Sequence, residues 1–418
     1  MTVAAVSLLW LIVGGGAFLA VYRSTLIALW REPVLRHPVL IIESDDWGPA
    51  PAVHAQRLRR LIDMLGAKKD RRNRHPVMTL GVILAIPDGP RIQEGDFRGY
   101  CRLLLSEPQA AEVLASMNEG VNKGVFALQL HGMEHYWPKA LMASVSNPAV
   151  RDWLSGKAWH RTEALPSPLQ SRWIDGSVQP SCALPEDDIA SAAGEEVDKF
   201  GEIFGSLPRV VVPPTFVWTR AVEDAWVKSG VKIIVTPGTC YTGRETDGKL
   251  IGTGQRLLNG QRSPSGAIYM VRDVYFEPAK GHAAEDALQS LERKMLLGRP
   301  ALVETHRFNF TDDEFAERSF SELGKLLDSV VQRFPSIMFM STEELAIGFE
   351  DCGADWLEDR LLNRLTVYLR RLREVPKLTK LAWLSGVALP VMLLMLGCKG
   401  LFLLKQKQKI QPEFAPWT

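Results

Sequence analysis

The stretch VLIIESDDWG at residues 39–48 runs from an apolar, β-branched segment directly into two adjacent carboxylates. Val39–Glu43 has the composition of a buried strand. Asp45 and Asp46 then follow at the edge of the core, where two carboxylates repel each other and need a cation, a metal or hydrogen-bond donors as partners. A turn in which Asp46 caps the next helix would also explain the pair, so this stretch by itself leaves both interpretations open.

The same theme recurs between residues 37 and 349, where short apolar runs alternate with segments of helical periodicity. Strands that alternate with helices indicate a mostly parallel sheet, and seven or eight such units predict an α/β fold that closes into a barrel. The predicted strands are Val39–Glu43, Val77–Leu84, Val125–Leu130, Arg209–Val212, Val231–Thr236, Ala267–Arg272, Ala301–Thr305 and Ile337–Met340. The predicted helices are His54–Leu65, Gln109–Asn118, Glu186–Phe204, Arg220–Ser229, Ala283–Leu297 and Asp312–Phe334.

Polar side chains follow several of these strands at the point where each one ends. His131 and His135 come after the third strand, and histidines four residues apart can present both imidazoles to one metal ion. Each motif alone also has a structural explanation, a solvated helix for this pair or packing for a single histidine. Because the carboxyl ends of parallel barrel strands open on one face, however, we expect these residues to converge. The residues at strand ends are Asp45, Asp46, His131, His135, Pro213, Pro214, Asp273 and His306.

The order of these motifs resembles that of the NodB-homology polysaccharide deacetylases, carbohydrate esterase family 4, over about residues 39–349. The resemblance implies a distorted parallel (β/α)7–8 barrel. It also implies a hydrolase that uses a divalent metal such as Zn²⁺ to remove an N-acetyl group from an amino sugar of a polysaccharide or lipid-linked glycan. By position, Asp45 would be the general base and His306 the general acid. The metal ligands would be Asp46, His131 and His135.

The resemblance also suggests residues that contact substrate. Pro213 and Pro214 match the motif that forms one wall of the groove, and Asp273 matches the acidic residue of the fourth motif. This chain departs from the pattern in three places: Trp47 stands before Gly48, no arginine immediately precedes the prolines, and no tryptophan adjoins the fourth-motif aspartate. We expect Arg307 to replace the missing arginine. The full set of expected substrate-binding residues is Trp47, Pro213, Pro214, Asp273, Arg307 and Asn309.

Both ends of the sequence differ from the middle. Residues 2–22 carry no charge and are long enough to cross a bilayer core, and the uncharged stretch Leu381–Cys398 precedes a basic tail. We therefore expect two spanning helices, with a buried core helix as the alternative for each. Basic residues that follow the first span and precede the second favour a cytoplasmic central domain. The predicted divisions are an anchor at 1–24, a catalytic domain at 37–350 with an insertion or lid at 137–185, a basic amphipathic linker at 351–380, a second span at 381–404 and a tail at 405–418.

Composition restricts the partners. The 49 Lys and Arg residues are balanced by 48 Asp and Glu residues, so no positive field favours nucleic acid. The five cysteines are scattered without a CxxC pair, which favours neither a disulfide framework nor a cysteine zinc site. The expected partners are a glycan or lipid-linked glycan, membrane lipid and other polysaccharide-assembly proteins. Two alternatives to a deacetylase stay open: a glycosidase with Asp45 as nucleophile, and a pseudoenzyme that binds glycan or serves as a scaffold.

Overall fold

A computed structural model describes residues 2–156, 161–351 and 354–388 of the 418-residue chain. The chain divides into two compact units. The larger unit comprises His37–Met295 and Arg299–Ala354, and the smaller unit comprises Met1–Arg36, Leu296–Gly298 and Asp355–Thr418. All residues predicted to carry chemistry lie in the larger unit.

The larger unit is built on strands that are short and mostly buried. The strands are β1 (Val39–Trp47), β2 (Met78–Val82), β3 (Ala85–Pro87), β4 (Arg102–Leu104), β5 (Phe126–Leu130), β6 (Ile174–Asp175), β7 (Cys182–Ala183), β8 (Val210–Val211), β9 (Ile233–Thr236), β10 (Tyr241–Arg244), β11 (Leu250–Gly252), β12 (Ile268–Val271), β13 (Val274–Tyr275), β14 (Ala301–His306) and β15 (Met338–Phe339). All nine residues of β1 are buried, as expected for a parallel sheet that is covered on both faces.

Nine of these strands form one parallel sheet in the order β12-β9-β8-β5-β2-β1-β14-β13, and β15 also pairs with β1. The two strands at its ends, β12 and β13, are separated in the chain only by Arg272 and Asp273. One stretch of chain therefore pairs first with β9 and then with β14, which brings the two ends of the sheet together. This closure makes the fold a distorted parallel α/β barrel and confirms the predicted fold class. The remaining strands form three two-stranded antiparallel sheets.

Fourteen helices lie in the ranges that the structure describes, and most of them lie between strands in the sequence. They are α1 (Thr2–Arg31), α2 (Ala52–Gly66), α3 (Gly89–Glu94), α4 (Ala111–Asn122), α5 (Pro138–Ala143), α6 (Pro148–Ser155), α7 (Glu186–Phe204), α8 (Arg220–Lys228), α9 (Ala284–Leu296), α10 (Phe308–Thr311), α11 (Ala316–Arg333), α12 (Thr342–Glu350), α13 (Leu361–Leu372) and α14 (Leu378–Leu384). Short 3₁₀ segments lie at Pro108–Ala110, Thr162–Ala164, Ser167–Gln170, Pro214–Phe216 and Pro278–Lys280.

Helix positions follow from apolar spacing. In α2, for example, the buried residues recur three or four positions apart, at Ala55, Leu58, Leu61, Ile62 and Leu65, so one stripe faces the core. All eight predicted strands and all six predicted helices are present, with ends shifted by a few residues. The strands of the three antiparallel sheets and β13 were not predicted, because runs of two to four residues give no readable periodicity.

In the smaller unit, residues Leu9–Arg31 of α1 are long and apolar enough to cross a membrane, by length and composition only. An N-terminal signal sequence has the same properties, and this is the only such helix in the ranges that the structure describes. The predicted second span begins within Leu378–Leu384. Residues 389–418 lie outside the described ranges, and they include most of this span and the whole basic tail. The buried Arg371 pairs with Glu32 and donates to the Glu32 carbonyl oxygen at 2.9 Å, which satisfies a carbonyl just beyond the end of α1.

Candidate functional site

Asp45 and Asp46 both face one cavity of the larger unit, although neighbouring strand residues ordinarily face opposite sides. Two local features explain this orientation. The pairing of β1 with β2 shifts in register between Ser44 and Trp47, and Asp46 has a φ of 70°, in the left-handed region. Such an irregularity turns a side chain away from its regular direction, and it costs backbone strain at a residue that is not glycine. The strand end is thus bent to bring two carboxylates to one place.

The predicted metal ligands come together beside this bend. The Oδ1 atom of Asp46 lies 3.4 Å from Nε2 of His131 and 3.6 Å from Nε2 of His135. The Nδ1 atom of His131 lies 2.8 Å from the carbonyl oxygen of Val212. Because a carbonyl oxygen only accepts hydrogen bonds, this contact places a proton on Nδ1 and leaves the Nε2 lone pair for a ligand. The three residues form the metal cluster, Asp46, His131 and His135.

The metal cluster fits a divalent cation. All three side chains are buried, and Oδ1 of Asp46 has no hydrogen-bond partner among the described residues. A buried carboxylate oxygen without a donor is costly, and a cation between it and the two imidazoles would remove that cost. One carboxylate and two imidazoles are donors that Zn²⁺ and related ions accept, with positions left open for other ligands. Burial lowers the pKa of His135 to about 4, which keeps that imidazole free of a competing proton.

Asp45 is held by an arginine that sequence reasoning missed. The Oδ2 atom of Asp45 accepts a hydrogen bond of 2.5 Å from Nη2 of Arg272, while the buried Oδ1 has no hydrogen-bond partner in the part of the chain that the structure describes. Burial by itself would raise the pKa of Asp45, but the positive charge of Arg272 and of nearby histidines outweighs it, so the net pKa lies below its ordinary value. Gly81 lies against this carboxylate, since a Cβ added there would stand 2.3 Å from Oδ1 of Asp45. Asp45 is therefore positioned as an ionised carboxylate.

Arg272 is the centre of a buried ionic group. It also donates to Oε2 of Glu43 at 3.0 Å and pairs with Oε2 of Glu304 at 3.2 Å, so three carboxylates surround one guanidinium. Arg272 lies directly after β12, at the closure of the barrel. The sequence signal for Arg272 is a charged residue at the end of a predicted strand, and the same signal applies to its neighbour Asp273. Adjacent residues face opposite sides here, and Asp273 pairs with Lys294.

His306 forms a second polar group with residues of a neighbouring loop. Its strand pairs with β1 so that His306 lies directly opposite Asp45. Nδ1 of His306 hydrogen-bonds to Oε1 of Glu277, and the other oxygen of Glu277 accepts from Asn309. Burial alone would lower the pKa of His306, but the hydrogen bond and charge of Glu277, with smaller effects from other carboxylates, raise it to about 10. His306 is therefore positioned as a protonated imidazole, and Glu277 is the second residue that sequence reasoning missed.

A cavity of about 800 Å³ joins these groups. Part of its wall comes from residues 161–170, within the long stretch predicted as an insertion or lid, and Pro213 forms another part beside Phe216. Phe216 covers the guanidinium of Arg272, with the two centres 5.1 Å apart. The predicted site residues that line this cavity are Asp45, Asp46, His131, His135, Pro213 and His306.

Several residues predicted to contact substrate are placed elsewhere. Trp47 is fully buried and donates from Nε1 to Oγ of Ser44 at 2.9 Å, so it has no free face for a sugar and the expectation for Trp47 is corrected. Pro214 is buried and does not line the cavity. Asn309 is also buried and holds Glu277 in position. Core packing and hydrogen bonding therefore account for these three side chains.

The side chain of Arg307 lines a second cavity. Only its backbone N–H contacts Asp45, donating to the carbonyl oxygen at 2.9 Å. Its side chain lines a smaller cavity of about 180 Å³ together with His54 and Glu163. Burial and the positive charge of Arg307 lower the pKa of His54 to about 3. Arg307 thus contributes to a neighbouring pocket, and Arg272 contacts the Asp45 carboxylate.

No family model and no curated protein matches this sequence. The solved structures similar to it are mostly polysaccharide or peptidoglycan deacetylases and family 4 carbohydrate esterases, the group that the motifs resemble. A family 4 carbohydrate esterase from Streptomyces lividans is 10% identical, with 72% of this chain and 91% of that chain covered and a TM-score of 0.34. A 4-alpha-glucanotransferase from Thermococcus litoralis is 10% identical, with 76% of this chain covered and a TM-score of 0.38, and this chain spans only 41% of its length. A carbohydrate esterase family 4 pseudoenzyme from Bacillus anthracis is 10% identical, with 74% of this chain and 65% of that chain covered and a TM-score of 0.34.

Proposed function

We propose that this chain is a metal-dependent hydrolase that removes an N-acetyl or other acyl group from an amino sugar of a polysaccharide or lipid-linked glycan. The observation that carries the proposal is the orphaned Oδ1 of Asp46 facing two imidazole nitrogens, in the same cavity as Asp45 and His306. A cation-binding group, a carboxylate and an imidazole around one cavity are the components that metal-assisted amide hydrolysis requires.

The metal cluster of Asp46, His131 and His135 would hold the ion, which is Zn²⁺ or another divalent metal by the chemistry of its donors. When bound, such an ion polarises a carbonyl oxygen and makes its carbon more susceptible to attack. The carbonyl of Val212 orients His131 by accepting from its Nδ1. The metal-binding role of these residues therefore includes a backbone contact that fixes the imidazole tautomer.

Asp45 and His306 would divide the proton transfers. Asp45, with its lowered pKa, is ionised at neutral pH and can accept a proton from the attacking water. His306, with a pKa raised to about 10, is protonated at neutral pH and can donate a proton to the leaving amine nitrogen. Environments that push two pKa values apart in this way define an acid and a base in one site. Arg272 and Glu277 act as positioning residues, since each contacts one member of this pair.

The first test is metal content and product release with the purified full-length chain. We expect a divalent metal bound near one equivalent, and release of acetate from N-acetylglucosamine oligomers without new reducing ends. New reducing ends without acetate would instead identify a glycosidase. No bound metal in the folded chain, with metal offered in excess and no product of either kind, would favour a glycan-binding or scaffold protein and overturn the proposal.

We further propose that α1 anchors the chain in a membrane and that a second span follows residue 381, with the catalytic unit on the cytoplasmic side. The length and apolar character of Leu9–Arg31 support the first part, and the distribution of basic residues supports the orientation. Resistance of the chain to extraction from membranes by alkaline carbonate tests the anchor. Protection of the catalytic unit from protease added outside intact cells tests the orientation, and digestion there would reverse it.

A further inference from the structure

Arg244 is a buried cation at the wall of the main cavity. It is the last residue of β10 in the hairpin that sequence reasoning missed, and only 5% of its surface is exposed. The same residue lines the cavity that contains Asp46 and His306. A charged side chain is rarely buried to this extent unless it is paired, so the partners of Arg244 decide how it should be interpreted.

Among residues 2–156, 161–351 and 354–388, the hydrogen-bond partners of the Arg244 guanidinium are all neutral oxygens. Nε and Nη2 both donate to Oγ of Ser171 at 3.3 Å, and Nη1 donates to Oγ of Ser167 at 3.3 Å and to the Gly248 carbonyl oxygen at 3.0 Å. A guanidinium has five N–H donors, so these four contacts leave one N–H of Nη2 without an acceptor. Most of the contacts are also long for hydrogen bonds of a charged donor. The described residues thus hold the guanidinium in place without neutralising it.

Two other buried arginines of the same unit are neutralised by carboxylates. Arg172 pairs with Glu134 at 2.6 Å and Glu196 at 2.8 Å, and Arg272 pairs with three carboxylates. Burial lowers the pKa of Arg244, and no neighbouring carboxylate opposes that shift. An uncompensated buried charge destabilises a fold, so its presence at a cavity wall is explained most simply by a ligand that supplies the negative charge.

We propose that Arg244 binds an oxyanion group of the substrate, a carboxylate or a phosphate, and that it selects acidic glycans over neutral ones. The planar guanidinium matches both groups, because either can accept two of its N–H donors at once. The hydroxyl of Ser167 also lines the cavity and can rotate to donate to the same anion. This inference rests on the proposed function, since it names the class of glycan that the same cavity would accept.

Anion binding tests the inference independently of turnover. The full-length, metal-loaded chain is titrated by calorimetry with inorganic phosphate, with glucuronic acid and with neutral glucose, at constant ionic strength and again after chelation. We expect one of the two anions to bind and glucose not to bind. In Arg244→Gln the affinity should fall about ten- to a hundredfold, the range for hydrogen bonds to charged groups. Arg244→Lys should lose less, because it keeps the charge but not the planar fork.

Lys280→Gln is the matched control, because it removes one exposed positive charge from the same cavity. It should keep the anion affinity of the wild-type chain, whereas equal losses in both variants would point to the general field of the cavity and overturn the assignment to Arg244. Circular dichroism and thermal unfolding check that Arg244→Gln is folded. If Arg244→Gln does not fold, the affinity of Arg244→Lys for the anion tests the inference in its place. Binding of neither anion to the wild-type chain, with or without chelator, also overturns the inference.

A second measurement connects the anion to the reaction. Three N-acetylglucosamine tetramers that differ only at C6 of one sugar, as hydroxyl, carboxylate or phosphate, are compared for acetate release. We expect kcat/KM to be at least about tenfold higher for one acidic tetramer, and this preference should disappear in Arg244→Gln. Preference for carboxylate or for phosphate identifies the source of the charge, and no preference overturns the inference. Anion binding that depends on Arg244 without hydrolysis of any tetramer would reject the proposed function and leave the anion site standing.

Discussion

Two neighbouring groups of the barrel combine histidine with carboxylate and differ in the hydrogen bonds that hold their side chains. In the metal cluster of Asp46, His131 and His135, and in the acid cluster of Glu277, Glu304 and His306, the donor atoms lie within 4.8 Å of one another. In the acid cluster, His306 hydrogen-bonds to Glu277, which also accepts from Asn309, whereas Oδ1 of Asp46 in the metal cluster has no hydrogen-bond partner among the described residues.

Residue type alone therefore does not decide whether such a group binds a metal ion or holds a proton. In the acid cluster, Glu277 contacts the imidazole nitrogen directly, which stabilises the imidazolium and raises the pKa of His306 to about 10. In the metal cluster, Nδ1 of His131 donates to the Val212 carbonyl oxygen, and Nε2 of the same ring faces the Asp46 carboxylate. The first arrangement retains a proton, and the second leaves lone pairs for a cation.

The largest expected effect comes from emptying the metal cluster. His131→Ala combined with His135→Ala removes two of three donors, so we expect bound metal and acetate release both to be lost while the fold persists. Metal analysis of the purified chain and an acetate assay measure this. His282→Ala, which alters an exposed histidine, serves as control and should keep both. Full metal content in the double variant would place the ion elsewhere.

Mutation of Asp45 should separate its role as a base from metal binding. Asp45→Asn is expected to lower kcat by about 10²–10⁴-fold, the range for a general acid or base, while bound metal is retained. Asp273→Asn is the matched control, because Asp273 pairs with Lys294 and does not line the cavity. Rates that fall equally in both variants would show that Asp45 has no special part in proton transfer.

Arg272 pairs with Glu304 of the acid cluster and with Asp45, which precedes the metal-cluster aspartate, so its removal should lower the stability of the fold. Arg272→Met leaves three buried carboxylates without their cation, and we expect a loss of about 3–5 kcal/mol in the free energy of unfolding. Chemical denaturation of the metal-free chain measures this loss. Arg220→Met removes an exposed ion pair with Asp224 and should change stability little. Similar stability of the two variants would contradict the importance of this ionic group.

The smallest expected effect is a change in pH dependence. Because the pKa of His306 is raised to about 10 in the folded chain, the stability it contributes is fully present below its ordinary value near 6.5 and is lost as pH rises through about 10. Glu277→Gln removes the charge that raises this pKa, so the alkaline loss of stability and of activity should move to lower pH. NMR titration of His306 in the metal-free chain reports the shift directly. An unchanged titration of His306 would show that a group other than Glu277 raises its pKa.

Much of this protein can be predicted from the sequence. Apolar runs and helical spacing locate eight strands of the barrel, because burial imposes a period that sequence preserves. The metal cluster is also predictable. Its two histidines lie four residues apart, and its aspartate ends a strand, so their convergence follows from the rule that parallel strands open on one face.

The tertiary structure alone decides which side chains surround those residues. Arg272 reaches Asp45 across 227 positions of sequence, and only the closure of the sheet at β12 and β13 brings them together. Which of Arg272 and Asp273 faces inward depends on strand register, and a one-residue difference reverses the side. Whether Trp47 contacts solvent depends on a bulge in β1 that no local pattern reveals. Sequence therefore fixes periodicity and strand ends, while long-range contacts, which depend on the whole chain, set charge, tautomer and orientation.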